Sequence, residues 1–370
     1  SVEWGETRTG FYTDGRLHSL SSTLEFLRFP PLSLVDKARL AATVLAAARA
    51  GDPRALERTP VVEWLTAWSG RRVVERLWLP LLRAKLGENY REASAAFICA
   101  IIARMYAARR SGLKREMFGY VRGGYAAVLA RLEAQLDRMG VVRRYGCRVL
   151  DVRADRHRAV VRTQDGTEAA FDVAVLTVPC GRAAALCPTL NPGELARLRS
   201  VVYQGVCCAS VLLRRPLAGF YVTNITEEWV PFTGIIEATA LVKREQFGGN
   251  TLIYLPKYLA QDDPWWNRPD SEIEAEFLGA LRRIHPHVEP SDVLTCAVSR
   301  AREVLAVPTL GYSDDRLPPV ATSLPRVFLV NSAQIAQGTL NVNETVSLAD
   351  AKAAELAPRL GALGGPRLAA

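Results

Sequence analysis

Residues 172–179, Asp-Val-Ala-Val-Leu-Thr-Val-Pro, decide the fold class of this chain. The run is almost continuously apolar, which is typical of a strand buried on both faces of a parallel sheet. An amphipathic helix is predicted from 124 to about 140, and a hairpin turn is predicted at Asp165-Gly166. A helix, antiparallel strands and then a buried strand together predict an α/β core unit.

On either side of this strand, the sequence divides into segments with different predicted secondary structure. The stretch 7–18 predicts a β-hairpin, because Asp14-Gly15 is a type I′ turn signal between two short strands. Residues 21–115 are predicted to be mostly helical, and 201–256 to form a second, mainly β layer. Val327-Phe-Leu-Val330 is another short apolar run, and a turn at 337–340 leads from it into a last helix. The predicted class is α/β, and α+β overall.

The composition and net charge of the chain exclude some classes of protein. The chain has 370 residues, 49% hydrophobic and 23% charged, which fits roughly two globular domains and excludes a chain that is mainly disordered. The net charge is +9, and the basic residues are spread along the chain without a long run. A generally Arg-rich composition, a membrane-facing patch and nucleic-acid binding are all compatible with this charge. No nucleic-acid motif is present, so we expect no nucleic-acid partner.

Most catalytic templates are missing from the sequence. It holds no G-x-S-x-G, H-E-x-x-H or Walker A motif, and its seven Cys and four His lack zinc-site spacing. We therefore expect no metal site. No apolar run reaches the ~18 residues of a membrane span, and no signal peptide opens the chain. These observations predict a cytoplasmic protein, with peripheral contact at the inner membrane face as an option.

Two predicted helix starts are candidates for ligand binding. The first follows the 327–330 strand, at Asn341-Val342-Asn343, where backbone N–H groups at a helix N-terminus could bind electron-rich oxygens. The second is Gly123-Gly124, where paired glycines permit close backbone approach to a flat ligand. The alternatives are an ordinary Asn N-cap in the first case and a tight turn in the second.

Taken in order, several stretches resemble the flavin-containing amine oxidase superfamily, in its branch with protoporphyrinogen oxidase, phytoene desaturase and hydroxysqualene oxidoreductase. The stretches that carry the resemblance are 7–17 (TRTGFYTDGRL), 77–87 (LWLPLLRAKLG), 119–125 (GYVRGGY), 147–152 (CRVLDV), 173–179 (VAVLTVP), 254–258 (YLPKY), 331–335 (NSAQI) and 338–341 (GTLN). They span nearly the whole chain in the family's order. The resemblance implies a split two-domain FAD-dependent oxidoreductase fold, with an incomplete Rossmann-like domain beside a helical and β substrate domain.

The resemblance also implies roles for individual residues. Val149 would contact the FAD adenine through its backbone, and Thr177 to Pro179 would lie beside the dinucleotide. Gly123 and Gly124 would lie near the isoalloxazine, and the helix start Leu340, Asn341, Val342 and Asn343 would face the flavin pyrimidine. Asn331-Ser332 takes the place of the family's usual Gly-Asp or Gly-Glu beside the ribityl chain, which removes a charged acceptor.

The sequence departs from the family more strongly in the dinucleotide-binding unit than at Asn331-Ser332. The family opens with a βαβ unit that carries G-x-G-x-x-G and an acidic residue for the ribose, and this sequence has neither. We expect an N-terminally truncated member that lacks the pyrophosphate cradle; a partial fold that binds no FAD is the alternative.

The resemblance leads to a predicted organisation and function. The expected parts are a cap and substrate segment (1–118), part of the FAD-binding domain (119–200), the substrate-domain sheet and helix (201–310), the C-terminal part of the FAD-binding domain (311–358) and a flexible tail (359–370). The expected activity is hydride abstraction from an apolar substrate such as a polyisoprenoid or porphyrinogen, with Trp64, Trp68 and Trp78 as tunnel candidates. Lys257 is the candidate active-site polar group, and a surface Lys is its alternative.

Two other functions stay open on the sequence. One is a sugar-nucleotide flavoenzyme resembling UDP-galactopyranose mutase, which would need Arg side chains for a diphosphate. The other is a cofactor-free scaffold or partner protein. The oligomeric state is not predicted.

Overall fold

The computed structural model describes residues 2–110, 117–336 and 340–363. The strands within these ranges are β1 (Val2–Glu6), β2 (Thr9–Thr13), β3 (Arg16–Ser19), β4 (Met117–Val121), β5 (Val149–Ala154), β6 (Ala159–Thr163), β7 (Glu168–Phe171), β8 (Ala174–Leu176), β9 (Tyr203–Leu213), β10 (Val222–Ile225), β11 (Gly234–Glu237), β12 (Thr251–Leu259), β13 (Val293–Ala306) and β14 (Val327–Leu329).

The helices in the described ranges are concentrated between β3 and β4. They are α1 (Thr23–Arg28), α2 (Leu34–Ala48), α3 (Pro53–Glu57), α4 (Val61–Ser69), α5 (Arg71–Val73), α6 (Leu79–Leu86), α7 (Ala95–Arg110), α8 (Gly124–Arg138), α9 (Cys180–Leu186), α10 (Pro192–Ser200), α11 (Asp270–Ile284), α12 (Tyr312–Asp315) and α13 (Val342–Leu363). A π-helical turn at Val74–Trp78 joins α5 to α6.

The largest sheet in the described residues has seven strands, in the order β13-β9-β12-β11-β10-β2-β3. It joins the hairpin near the start of the chain to strands between 203 and 306, because β2 lies parallel to β10. The hairpin confirms the turn prediction: Thr13 pairs with Arg16, and Asp14 and Gly15 have φ values of 51° and 71°. Positive φ at both central residues is the type I′ geometry that matches the twist of two paired strands.

Buried apolar side chains form separate clusters. One lies between the seven-stranded sheet and α11, with Phe277 and Ile253 at its centre. A second joins β5, α9, α10, β8 and β14, and a third packs α2, α4 and α7 together. The mixed α/β class is therefore confirmed, and one of the residues predicted to bind a cofactor, Val149, packs against the second cluster.

The expectation about the strand 173–178 needs correction. In the described residues β8 pairs only with β14, and Val175 is 42% exposed while Ala174 and Leu176 pack on the second cluster. The strand is thus buried on one face only, because residues along a strand alternate between its faces. Helix α13 contains Pro358 and ends at Leu363. The flexibility of the segment 359–370 stays a prediction.

Candidate functional site

The end of β8 meets the turn after β14 through one side chain, Asn331. Its amide nitrogen Nδ2 donates to the carbonyl oxygen of Val178 at 2.8 Å, and its Oδ1 accepts the N–H of Ala333 at 3.0 Å. Asn331 is 8% exposed. The structure therefore brings two predicted cofactor-binding segments together, Thr177 to Pro179 and Asn331-Ser332, although they are more than 150 residues apart in sequence.

A buried polar scaffold supports this junction. The Tyr203 hydroxyl accepts the N–H of Cys180 at 3.1 Å, and the Tyr312 hydroxyl donates to the carbonyl of Ala333 at 2.7 Å. Burial raises the pKa of Cys180 and of both tyrosines, so these groups stay neutral near pH 7. Sequence reasoning missed all three, because only the folded chain places them beside Asn331.

Val149, the predicted adenine contact, belongs to the same neighbourhood. It begins β5 and packs, partly buried, against the cluster that contains Leu176 and Val178. A cleft of about 390 Å³ adjoins the cluster and is lined by Tyr203, Gly181 and Glu303 among others. Val149 and Val178 thus pack on the second cluster, and other members of that cluster, including Leu198 and Tyr203, line the cleft.

The start of α13 has the ordinary capped form. Asn341 Oδ1 accepts the N–H of Glu344 at 3.0 Å, so Asn341 is an N-cap, the simpler of the two sequence interpretations. Leu340 packs against the cluster of α2, α4 and α7, while Val342 and Asn343 are exposed. The turn residues 337–339 lie outside the described residues. A flavin contact at this helix start stays a prediction.

Gly123 and Gly124 begin α8 with φ values of 82° and 64°, a conformation that glycine adopts without strain. The N–H of Gly123 lies 3.4 Å from Oε1 of Gln246, and a Cβ at Gly124 would meet nothing within 4 Å. The backbone is therefore open at Gly124, whereas the Gly123 N–H already donates to Gln246. However, α8 has no buried side chain and takes no part in the cluster around Asn331.

Lys257, the candidate active-site polar group, is partly buried on β12. Its Nζ donates to the carbonyl of Pro231 at 3.0 Å and lies 4.4 Å from the ring centre of Trp265. Burial lowers its pKa. These contacts give Lys257 a structural role, and its catalytic role stays a prediction.

A second concave site lies in the helical segment. It is a groove of about 560 Å³ between α2, α3 and α4, lined mainly by apolar atoms, with Leu45, Trp64 and Trp68 on its walls. Trp78, also predicted to line a tunnel, instead donates its indole N–H to the Ser69 hydroxyl at 3.0 Å. Two of the three candidate Trp residues, Trp64 and Trp68, therefore line the groove.

In residues 2–110, 117–336 and 340–363, no group of three or more His, Cys, Asp or Glu side chains is placed to hold a metal ion. In the same residues, no helix combines the length and apolar character needed to cross a bilayer.

Comparison with known proteins identifies the family. The model of flavin-containing amine oxidoreductases matches residues 5–343. This chain therefore belongs to that family, as its sequence resemblance predicts, and is a flavin-dependent oxidoreductase. The match covers most of the chain, including the Asn331 junction, β8 and the apolar groove. Among curated proteins, no match was found.

Solved structures share the fold at low sequence identity. An oxidoreductase from Methanosarcina mazei is 18% identical with a TM-score of 0.69, over 96% of this chain and 82% of its own. A candidate protoporphyrinogen oxidase from Exiguobacterium sp. 255-15 is 16% identical with a TM-score of 0.67, over 95% of this chain and 81% of its own. A reduced UDP-galactopyranose mutase is 13% identical with a TM-score of 0.61, over 85% of this chain and 68% of its own. These likenesses confirm the split flavoenzyme fold.

The residues around Asn331 fit a flavin dinucleotide in part. The paired strand ends and the cleft next to the cluster suit contacts with flat rings. The sequence contains no G-x-G-x-x-G loop to hold the phosphates.

Proposed function

We propose that this chain is an FAD-dependent oxidoreductase that abstracts hydride from an apolar substrate such as a polyisoprenoid or porphyrinogen. The observation that carries the substrate class is the groove lined by Leu45, Trp64 and Trp68. Aliphatic and indole surfaces bind apolar ligands by excluding water, and they offer few polar partners to a sugar or a nucleotide.

The chemistry agrees with this lining. A bound flavin would supply the hydride acceptor, and the proton that the substrate loses in the same oxidation would be released to solvent. The residues of this chain would then position the substrate and keep water away. Because neither task requires a catalytic His or Cys, the lack of such a cluster is consistent with the proposal.

Binding the pyrophosphate of FAD requires a structural unit in addition to the residues described above. The second face of β8 is open, since Val175 is 42% exposed, and on α8 the side chains of Tyr125, Leu129 and Leu132 are more than half exposed. Parallel strands are normally covered on both faces. We propose that a βαβ unit outside residues 1–370 covers this side and provides the glycine-rich cradle.

Ligand binding distinguishes apolar substrates from nucleotide sugars. A polyisoprenoid polyene in detergent micelles should quench Trp fluorescence, and Leu45→Glu should weaken that binding at least about tenfold by placing a charge in the groove. Leu129→Glu on α8 is the matched control and should bind the polyene like the parent chain. Binding of UDP-galactose without binding of the polyene would contradict the proposal and favour the mutase-like alternative.

A further inference from the structure

Lys85, near the end of α6, is a half-buried cation between α7 and β12. Its Nζ lies 5.9 Å from the ring centre of Phe97 and 5.9 Å from that of Tyr258. Among the residues that the structure describes, no carboxylate pairs with this ammonium group and no oxygen accepts a hydrogen bond from it. Lysine side chains that are withdrawn from water are normally paired, so the arrangement at Lys85 needs an explanation.

The surroundings of Lys85 disfavour its positive charge. Burial is the larger cause that lowers the pKa of Lys85, and the cation of Arg104 on α7 lowers it further. Aromatic rings attract a cation within about 6 Å, so the contacts with Phe97 and Tyr258 lie at the outer limit of that attraction. The fold itself therefore gains little from a cation at this position, whereas an anionic ligand would gain a partner there.

The other half-buried and buried lysines of the described residues show the ordinary arrangement. Lys37 is 7% exposed, and its Nζ donates to the carbonyl oxygen of Leu27 at 2.7 Å. Lys257 donates to the carbonyl oxygen of Pro231 at 3.0 Å. This fold thus provides an acceptor for each of these two lysines, and Lys85 differs from both.

A second unpaired donor lies beside the end of α6. Gln204, on β9, is 0% exposed, and its Oε1 accepts a hydrogen bond from Nδ2 of Asn89 at 3.0 Å. Its Nε2 is buried and has no hydrogen-bond partner in the described part of the chain. A Cβ at Gly87, two positions after Lys85, would lie 3.8 Å from this Nε2. A buried N–H without an acceptor is costly, so Gln204 points to a ligand with an acceptor oxygen independently of Lys85.

The large sheet brings both donors to one of its faces. Tyr258 on β12 pairs with Val206 on β9. Gln204 shares the face of Val206, because alternate residues of a strand point the same way. Cys207 points to the opposite face, into the cluster against α11. The donors of Lys85 and Gln204 therefore lie on the side of the sheet away from α11.

The acidic residues next to α6 have cations of their own. Glu88, which follows α6, pairs with Arg91 at 2.9 Å, and Glu228 lies 3.8 Å from Arg83. These pairs are exposed at the surface and leave Lys85 without a carboxylate.

The neighbouring cleft of about 390 Å³ is a poorer place for an anion. Two carboxylates, Asp262 and Glu303, line it together with one cation, Arg199. Walls with an excess of negative charge repel a carboxylate. The charges therefore favour Lys85 over this cleft.

We propose that Lys85 and Gln204 form a binding site for the carboxylate of an apolar or aromatic molecule. The ammonium group would pair with the carboxylate, the amide would donate to it from the neighbouring strand, and Phe97 and Tyr258 would contact the body of the ligand. One cation and one amide match the single charge and two oxygens of a carboxylate. The site shares no residue with the lining of the groove beside Trp68, and binding there does not depend on the flavin reaction.

Calorimetric titration of residues 1–370 without flavin tests the proposal. The probes are 2-naphthoate and its neutral analogue 2-naphthamide. We expect naphthoate to bind at least about tenfold more tightly than naphthamide, and Lys85→Met to remove that difference, because the charge-assisted bond is lost. Gln204→Glu keeps an acceptor for Asn89 and adds a negative charge, so it should also weaken naphthoate binding. Lys37→Met, at a lysine that has its own acceptor, is the matched control and should bind naphthoate like the parent chain.

Urea unfolding distinguishes a ligand site from a structural contact. Lys85→Met should unfold at the same urea concentration as the parent chain or at a higher one, because it removes a desolvated cation that has no partner. Lys37→Met should unfold at a lower concentration, since it leaves the Leu27 carbonyl unpaired. The proposal is wrong if naphthoate binds no more tightly than naphthamide, if Lys85→Met binds naphthoate like the parent chain or is destabilised as Lys37→Met is, or if inorganic phosphate displaces naphthoate at equal concentration.

Discussion

Replacing Asn331 with Ala should weaken the junction on which the candidate cofactor site is built. The Asn331 side chain makes two short hydrogen bonds, at 2.8 Å to the carbonyl of Val178 and at 3.0 Å from the N–H of Ala333, beside longer contacts with the Cys180 thiol. Each bond contributes about 1 kcal/mol net, and a buried partner left unpaired costs about 1–3 kcal/mol. Because Ala333 is 1% exposed, its N–H has little access to water, and we expect Asn331→Ala to lower the free energy of unfolding by about 2–4 kcal/mol.

Urea unfolding, followed by Trp fluorescence and far-UV circular dichroism, measures this loss. Asn331→Asp refines the test, since the carboxylate keeps the Ala333 bond but places an oxygen against the Val178 carbonyl. That contact favours the protonated acid, so the pKa of the new carboxyl should rise, and stability relative to the parent chain should recover as the pH falls through it. Ser332→Ala, at the next position, is the control and should change stability by less than about 0.5 kcal/mol. An Asn331→Ala variant as stable as the control would refute this description of the junction.

The remaining predictions concern one His and one Lys. Burial lowers the pKa of His285 to about 4 from an ordinary 6.5. The His285 imidazole therefore binds a proton less readily in the folded chain than in the unfolded chain. The contribution of neutral His285 to the free energy of unfolding is complete above pH 6.5 and is lost as the pH falls toward 4. By about pH 5 the loss amounts to about 2 kcal/mol. In urea unfolding at several pH values, His285→Asn should remove this part of the slope and His287→Asn, at an exposed neighbour, should keep it. Lys257→Met should cost about 1–2 kcal/mol by leaving a carbonyl unpaired. In a form fused behind a βαβ unit with a glycine-rich loop, flavin retention after gel filtration should not change, and lost turnover of that form at unchanged stability would instead establish a catalytic role.

Local chemistry is what the sequence reveals most directly. The hairpin at Asp14-Gly15 was predictable because those two residues favour the positive φ values of a type I′ turn. The helix expected within 201–310, observed as α11 (Asp270–Ile284), was predictable because its apolar residues recur at helical spacing and become one buried face. The family resemblance adds the order of the elements, and the match over 5–343 confirms it.

Contacts between distant residues were not predictable in this way. The bond from Asn331 to Val178 joins residues whose spacing carries no periodic signal, and the supports Cys180 and Tyr203 resemble ordinary core residues. The exposure of one face of β8 was not predicted, for a related reason. A run of apolar residues shows that a strand suits burial, but it does not show which neighbours cover Val175.

The visible absorption spectrum after incubation with FAD and desalting tests the proposed function most directly. We would measure it for residues 1–370 and for the same chain fused behind a βαβ unit with a G-x-G-x-x-G loop. We predict that the fused form retains a flavin spectrum and that residues 1–370 alone lose the flavin on desalting, because the phosphate cradle is supplied only in the fusion. A fused form that folds and retains no flavin would contradict the proposal that this chain forms the flavin-facing half of an FAD enzyme.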